Sequence, residues 1–592
     1  MKKIYFLLLL MIAARSGLPQ VITPVKIKVN ATSAKSTKSF GIRGNLPPLS
    51  WENTLFLSDP DKDGIYEGEL RFETRETSIL EYKFVYGDKQ VTYELEGQNR
   101  ILVLNGKEKL TDLVWNVPDE TEMKDLPLLT AEQLSGDFEI LRKALSGIHP
   151  GVYRYRTAAE VDSLFEHYRR VFSRPMSYRD AFLNFTRMTS FVQCGHTFPS
   201  FYNQNGLIRQ VVLDQPDKLP FSFRVVDRRM VITENVSGST DLPRGTEVLA
   251  IGGVSSEDFL AETAALVKAD GANDAKRFAD LNTFGIGGFY EAFDVYFPLL
   301  FPPQNRTYSL LVRKPGSQTA EMVKVNTLSR GQRTTRLMEM NADTPASADQ
   351  LWHFEFWDNN TAFLQLGTFD VFQLTFEWDK FLKNAFSEIR KRRASKLVID
   401  LRWNEGGQDE VLLALGRYLA RKQLTIPVRT DLVRYTKVPE DIKPWLFTWD
   451  NSIFDLSDRA VPYKDGYFVL QTGDLPEIEP APAAFLGDTY LLVNAANSSA
   501  TFYFAEIAKE NRLALLIGET TGGSQQGLNG GTMFFLRLPG SQIEIDIPVI
   551  GTFSTDKPSG GIEPDIPVTE TLEDIAKGGD SVLRFVKEFV RK

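Results

Sequence analysis

The sequence has a single cysteine, Cys194, among 592 residues, so no disulfide can form within the chain and a cross-linked framework is excluded. It also lacks a basic surface. Lys and Arg total 68 against 77 Asp and Glu, a formal charge of -9, and the longest Lys/Arg run, which includes KRR at 391–393, is four residues from Arg390. That balance argues against a nucleic-acid partner. Beyond the first 20 residues there is no apolar run long enough to predict a membrane span. Histidine is scarce, with four in all, so chemistry that needs an imidazole has few residues to draw on.

What is present is ordinary for a globular chain: 42% apolar and 24% charged residues. The length predicts roughly three or four domains. MKKIYFLLLLMIAARSG joins two lysines, an apolar run and small residues, the three-part pattern of a signal peptide, placed at 1–20. It predicts export, to a periplasmic or extracellular location. No lipid-anchor cysteine follows it.

From 21 to 115 alternating runs such as ELRFET, EYKFVYG and NRILVLNG predict a small β-sandwich. Inside it, Asp59, Asp61, Asp63 and Gly64 match the first half of a calcium loop, but the twelfth position is Leu70 where a bidentate Glu is required. We read the stretch as a hairpin turn, with no metal expected. A polar linker at 116–129 leads to a helical segment at 130–205. Its helix starts are marked by Thr130 with Gln133, Thr157 with Glu160 and Ser177 with Asp180. From 206 to 330 short strands return, and 350–592 alternates buried strands with amphipathic helices. This last pattern predicts a largely parallel α/β sheet with its site at the strand ends.

Two such strand ends carry chemistry. KLVIDLRWNEGGQ places Asp400, Arg402, Asn404, Gly406 and Gly407 after an apolar strand, and paired glycines let backbone N–H groups face an anion. The phosphate-loop pattern is absent, because no Lys-Ser/Thr follows. TYLLVNAANSSATFYF sets Ser498 and Ser499 between a strand and a helix, where serine is a common cap. Of the histidines, His149 ends a helix in GIHPGVY, His167 reads as solvated and His353 as core, while His196 follows a helix at CGHT. Cys194 beside His196 is a weaker nucleophile candidate, because a lone cysteine ending an apolar helix is usually inert.

DLRWNEGG, NSSATFYFAEIAKENRLALLIGETTGG and GGIEPDIPV, in that order, resemble the tail-specific, or C-terminal processing, serine peptidase family, and CGHT resembles its divergent branch related to the tricorn core peptidase. The resemblance implies a crotonase-like or Clp-like α/β superhelix and an endopeptidase acting on polypeptides, with no metal or organic cofactor. By that resemblance Ser499 is the nucleophile, His196 the base, and Gly406, Gly407 and Ala500 the oxyanion donors. Ser498 becomes a cap or spacer. The lysine of the processing branch is missing: counting on reaches Ser524, and Lys509 lies on the intervening helix. The glutamate of the tricorn-like branch is replaced by Pro558 and Ser559 and its serine by Gly195, leaving Thr197, Ser524 and Glu563 as candidate orienters of the imidazole. Because His196 and Ser499 are far apart in sequence, a rearrangement that brings them together is a further expectation. The rival reading is an inactive peptidase fold that binds peptides or glycans.

Two other segments carry resemblances. PRGTEVLAIGGVSSEDFLAETAAL is similar to a PDZ-type peptide-binding module. RGNLPPLSW, EYKFVYG and YELEGQNR resemble a starch-binding type of carbohydrate module, which implies polysaccharide contacts at Trp51 and Tyr93.

Overall fold

The computed structural model describes residues 21–74, 78–87, 90–95, 99–117, 126–340, 344–427, 429–471, 477–482, 484–554 and 556–591. The expected signal peptide and most of the expected linker lie outside these residues. The chain divides into two compact units, residues 1–128 with 209–211, and residues 129–208 with 212–592. The stretches expected to be helical, PDZ-like and α/β therefore fall mostly within one unit.

In the first unit Val21–Asn30 runs antiparallel to Ile65–Thr74 and parallel to Lys109–Val114. A second sheet joins Gly41–Gly44, Leu55–Phe56, Ser78–Tyr86, Thr92–Tyr93 and Arg100–Leu104. Strand alternation turns Val25, Ile27 and Val29 inward, where they share a core with Phe72, Phe84 and Trp115. The charged residues of YELEGQNR have a structural use: Arg100 and Glu94 are both fully buried and face each other through two hydrogen bonds, at 2.7 and 2.8 Å. Arg100 Nη2, which bonds Glu94, also donates to the Val114 and Val117 carbonyls, at 2.8 and 3.0 Å. The carboxylates of Asp59, Asp61 and Asp63 do gather, but both Asp59 oxygens accept backbone N–H groups, from Asp63 and Gly64, and Leu70 is a core residue.

In the second unit the three helix starts are built as the sequence predicts. Thr130 and Thr157 form reciprocal capping boxes, and Ser177 caps through Asp180 N–H. The central sheet runs Trp352–Phe356, Thr361–Leu366, Lys396–Asp400, Asp488–Val493, Leu515–Gly518, Ile566–Pro567, parallel except for its first strand. Its strands are apolar on both faces because both are covered. Leu397, Ile399 and Leu491 pack on Trp378–Arg392, Asp409–Leu419 and Ser499–Glu510, while Val398, Leu492 and Ile517 pack on Ser581–Phe589. Each such side chain taken out of water contributes about 1.5–3 kcal/mol. A second, antiparallel sheet is centred on the hairpin Asn529–Arg537 and Glu544–Phe553. A third joins Phe221–Val226, Arg229–Asn235, Glu247–Ile251, Thr307–Arg313 and Glu321–Asn326. Among the described residues no helix is long and apolar enough to cross a membrane.

The Glu94–Arg100 pair yields a stability prediction. Removing one partner strands a buried charge, so Glu94→Ala should destabilise the first unit by about 3–5 kcal/mol. Denaturant unfolding followed by tryptophan fluorescence measures it, and a loss below about 1 kcal/mol would refute the structural role.

Candidate active site

Lys396–Asp400 and Asp488–Val493 are paired parallel neighbours, so the loops leaving their C-terminal ends emerge side by side. The loop after the first strand carries Gly406 and Gly407, and the turn after the second carries Ser498 and Ser499. Four side chains tie them together. Asn404 Nδ2 donates to the Leu366 carbonyl, and its Oδ1 accepts from Gly406 N–H at 2.9 Å and from the Thr501 hydroxyl at 2.7 Å. Asn497 donates to the Leu401 and Asn404 carbonyls, Asn494 accepts from Trp403 N–H, and the Ser498 hydroxyl donates to the Glu405 carbonyl at 3.0 Å.

This corrects two expectations. Ser498 makes no side-chain cap and instead fastens the turn to the neighbouring loop. Gly406 N–H is engaged by Asn404, so it is not an available oxyanion donor; its contribution is steric. A Cβ at Gly406 would stand 2.8 Å from Ser499 Cβ and 3.0 Å from Ala500 N. Among the described residues the N–H groups of Gly407 and Ala500 carry no hydrogen bond to the protein. Gly407 has φ 139°, and a Cβ there would meet the Phe369 carbonyl carbon at 2.1 Å. Ala500 N–H belongs to the first turn of Ser499–Glu510, where no helical acceptor exists and the helix dipole favours negative charge.

Ser499 has φ 51°, a left-handed backbone that serine adopts at a cost of about 1–3 kcal/mol. The strained turn presents its hydroxyl to His196: Oγ lies 3.2 Å from Nε2. No rearrangement is needed to join the two, contrary to expectation. The ring is half-buried, with Gly530 against it: a Cβ at Gly530 would stand 3.5 Å from Cε1. Burial lowers its pKa, opposed by the negative charge of Asp270 and by the Asn529 carbonyl and reinforced by Lys268 and Lys276. The imidazole is therefore neutral at neutral pH.

None of the three candidate orienters touches this ring. The Thr197 hydroxyl bonds to His149 Nε2 at 2.7 Å, the buried Ser524 hydroxyl has no partner among the described residues, and Glu563 is exposed. Among the described residues His196 Nδ1 is buried without a hydrogen bond. The buried residue that sequence reasoning missed is Asp270, whose Oδ1 accepts from Gly195 N–H at 3.1 Å. A Cβ at Gly195 would come within 2.7 Å of its other oxygen, which explains a glycine before the histidine. Nothing in the sequence marks this contact, because Asp270 lies 75 positions away.

The other singled-out residues sort cleanly. His149 is buried and neutral, its pKa pushed down to about 3 chiefly by burial, with Nδ1 accepting Gly151 N–H. His167 is exposed. His353 is exposed too, beside Glu355 on an edge strand, and not a core residue as expected. Burial pushes the Cys194 thiol up to about 11, which removes it as a nucleophile. Lys509 pairs with Asp565, and Asp400 and Arg402 form a buried pair with each other. In the first unit Arg43 donates to the Trp51 carbonyl at 2.9 Å and the Tyr93 hydroxyl at 2.8 Å.

Residues 360–568 match the model of peptidase family S41, so the chain carries a domain of that family. No curated protein matches the chain by sequence. In shape it is similar to CPAF: a mutant CPAF superposes with a TM-score of 0.55 at 15% identity, over 76% of this chain and 95% of that one. Mature CPAF gives 0.53 at 15% identity, over 77% and 96%, and mature CPAF complexed with lactacystin 0.52 at 16%, over 78% and 97%. At such identities the likeness is one of fold, a mixed α/β architecture.

The electrostatics around His196 predict its titration. With four histidines, the imidazole signals of the uniformly labelled protein are few enough to follow by NMR. His196 should titrate below 6.5, and Asp270→Asn, which removes the charge that favours the imidazolium, should move it lower still. A midpoint above 6.5, or no response to Asp270→Asn, would refute this account.

Proposed function

We propose that the chain is an exported serine endopeptidase in which Ser499 attacks a peptide carbonyl and His196 accepts its proton at Nε2. The observation that carries the reading is the 3.2 Å approach of the half-buried, neutral imidazole to the hydroxyl of a serine held in left-handed backbone. The tautomer with its proton on Nδ1 leaves the Nε2 lone pair for that task. As the tetrahedral intermediate forms, the N–H groups of Gly407 and Ala500 hold its oxyanion, aided by the N-terminus of Ser499–Glu510. The imidazolium that results is balanced by Asp270 and the Asn529 carbonyl. It then gives its proton to the leaving amine, and water repeats the sequence on the acyl-enzyme. No metal or organic cofactor enters these steps.

A cavity of about 1260 Å³, lined by Ser499, His196 and Gly407, offers room for an extended polypeptide. We assign the segment 206–330 to substrate handling as a PDZ-like module, on the strength of its sequence and its helix Ser256–Ala264 beside the sheet. The first unit is assigned polysaccharide contacts at Trp51 and Tyr93, which Arg43 holds near each other.

A fluorophosphonate probe tests the central reading. Wild type and Ser498→Ala should label; Ser499→Ala should not, and His196→Ala should label far more slowly. Turnover of an unfolded protein substrate should fall about 10⁴-fold or more for Ser499→Ala and His196→Ala. A wild-type chain that neither labels nor cleaves favours the inactive, peptide-binding alternative.

A further inference from the structure

The wall of the cavity before Ser499 carries more charge than peptide hydrolysis requires, and most of it is internally paired. Lys268 pairs with Glu405 at 3.6 Å, Asp280 with Lys276 at 2.6 Å, and Arg402 with Asp400 at 2.7 Å and Asp580 at 2.8 Å. Asp546 differs. It lines the cavity at only 7% exposure, its carboxylate accepts from the Asn203 amide at 3.3 Å, and among the described residues it forms no ion pair. A desolvated carboxylate without a cation is costly, and a cationic ligand would relieve it.

Its surroundings suit such a ligand. Asp546 stands directly across the hairpin from Phe535, which lines the same cavity with Met533 and Trp449, and the Trp449 and Phe535 rings lie 5.3 Å apart. Aromatic faces accept the aliphatic stem of lysine and the plane of a guanidinium. Position matters as well. Asp546 N–H donates to the Phe198 carbonyl at 3.1 Å, two residues beyond His196. That places its Cα within about 12 Å of the His196 Cα, a few residues of extended peptide.

The geometry points to a subsite built on Asp546 that receives the Lys or Arg side chain of a polypeptide substrate lying across the cavity. The inference rests on the peptidase reading for the placement of that polypeptide. Burial pushes the Asp546 carboxyl up to about 7, against the Asn203 amide, with Glu544 adding to the rise and Lys268 and Ser200 opposing it. Of the charged neighbours, Glu544 is paired with Arg537 and Lys268 with Glu405. The subsite therefore holds a cation well above pH 7 and weakly at acid pH.

The test measures binding apart from catalysis. Fluorescein-labelled octapeptides with lysine or norleucine moved through successive positions are titrated into the full-length Ser499→Ala variant, read by anisotropy at pH 8 and pH 5.5. At one position lysine should bind about tenfold tighter than norleucine at pH 8, the ratio approaching one at pH 5.5. Because the ratio is taken at fixed pH, the titration of His196 cancels. Adding Asp546→Asn should abolish the preference at both pH values, and should that variant not fold, the pH dependence of the parent decides. Equal binding at every position at pH 8, a preference that persists at pH 5.5, or one that survives Asp546→Asn overturns the subsite. Failure of the probe to label wild type sinks the peptidase reading separately and leaves the binding ratio unaffected.

Discussion

The site depends on the approach of two loops so close that one of them cannot carry a side chain. Gly406 lies against Ser499 with no room for a Cβ, and Gly407 lies against the Phe369 backbone in the same way. Adjacent parallel strands deliver the loops side by side, and the turn at Ser499 then comes so near that a Cβ at Gly406 would stand 2.8 Å from the Ser499 Cβ. Glycine resolves the crowding, and the amides of Asn404, Asn494 and Asn497 then satisfy the backbone groups left without a strand or helix partner. The same network holds Ser499 in its left-handed conformation, which a free turn would relax. Strain at Ser499 thus follows from the sheet, whose apolar faces provide the stability that offsets it.

The histidine reaches the site by another route. It hangs from the segment after the helix Tyr178–Ser190, outside the central sheet, and is fixed between Gly530 and the Asp270 contact at Gly195. Glycines from three elements thus make room for the site: Gly406 lies against Ser499, Gly530 against His196 and Gly195 against Asp270, while Gly407 presents a free N–H.

Much of this was legible in the sequence because it is local. The paired glycines after KLVID, the serine pair between a strand and a helix, and the histidine closing CGHT all carry their role in their immediate neighbours. What stayed hidden depends on partners distant in the chain. The loss of Gly406 N–H to Asn404 was the nearest to readable, since an Asn two residues before a backbone N–H is a common turn. The tether from Ser498 to Glu405 and the Asp270 contact leave no periodic trace. His353 misled because alternation with aromatics resembles a core strand, and nothing local says that the strand is the sheet's edge with that face in water.

Orienting an imidazole and tuning its charge are separable tasks, and the structure divides them. Burial alone would hold the His196 imidazole neutral, since a desolvated imidazole resists protonation. A carboxylate hydrogen-bonded to Nδ1 would supply both orientation and charge. Here the packing of Gly530 and the Gly195–Asp270 contact fix the ring, while the buried Asp270 provides the compensating charge without touching it. The lysines that oppose it, Lys268 and Lys276, are held by Glu405 and Asp280, so their effect on the ring is partly cancelled. The ring can thus stay neutral at neutral pH and still find favourable potential once protonated. That balance is set by residues outside the motifs that first mark the site.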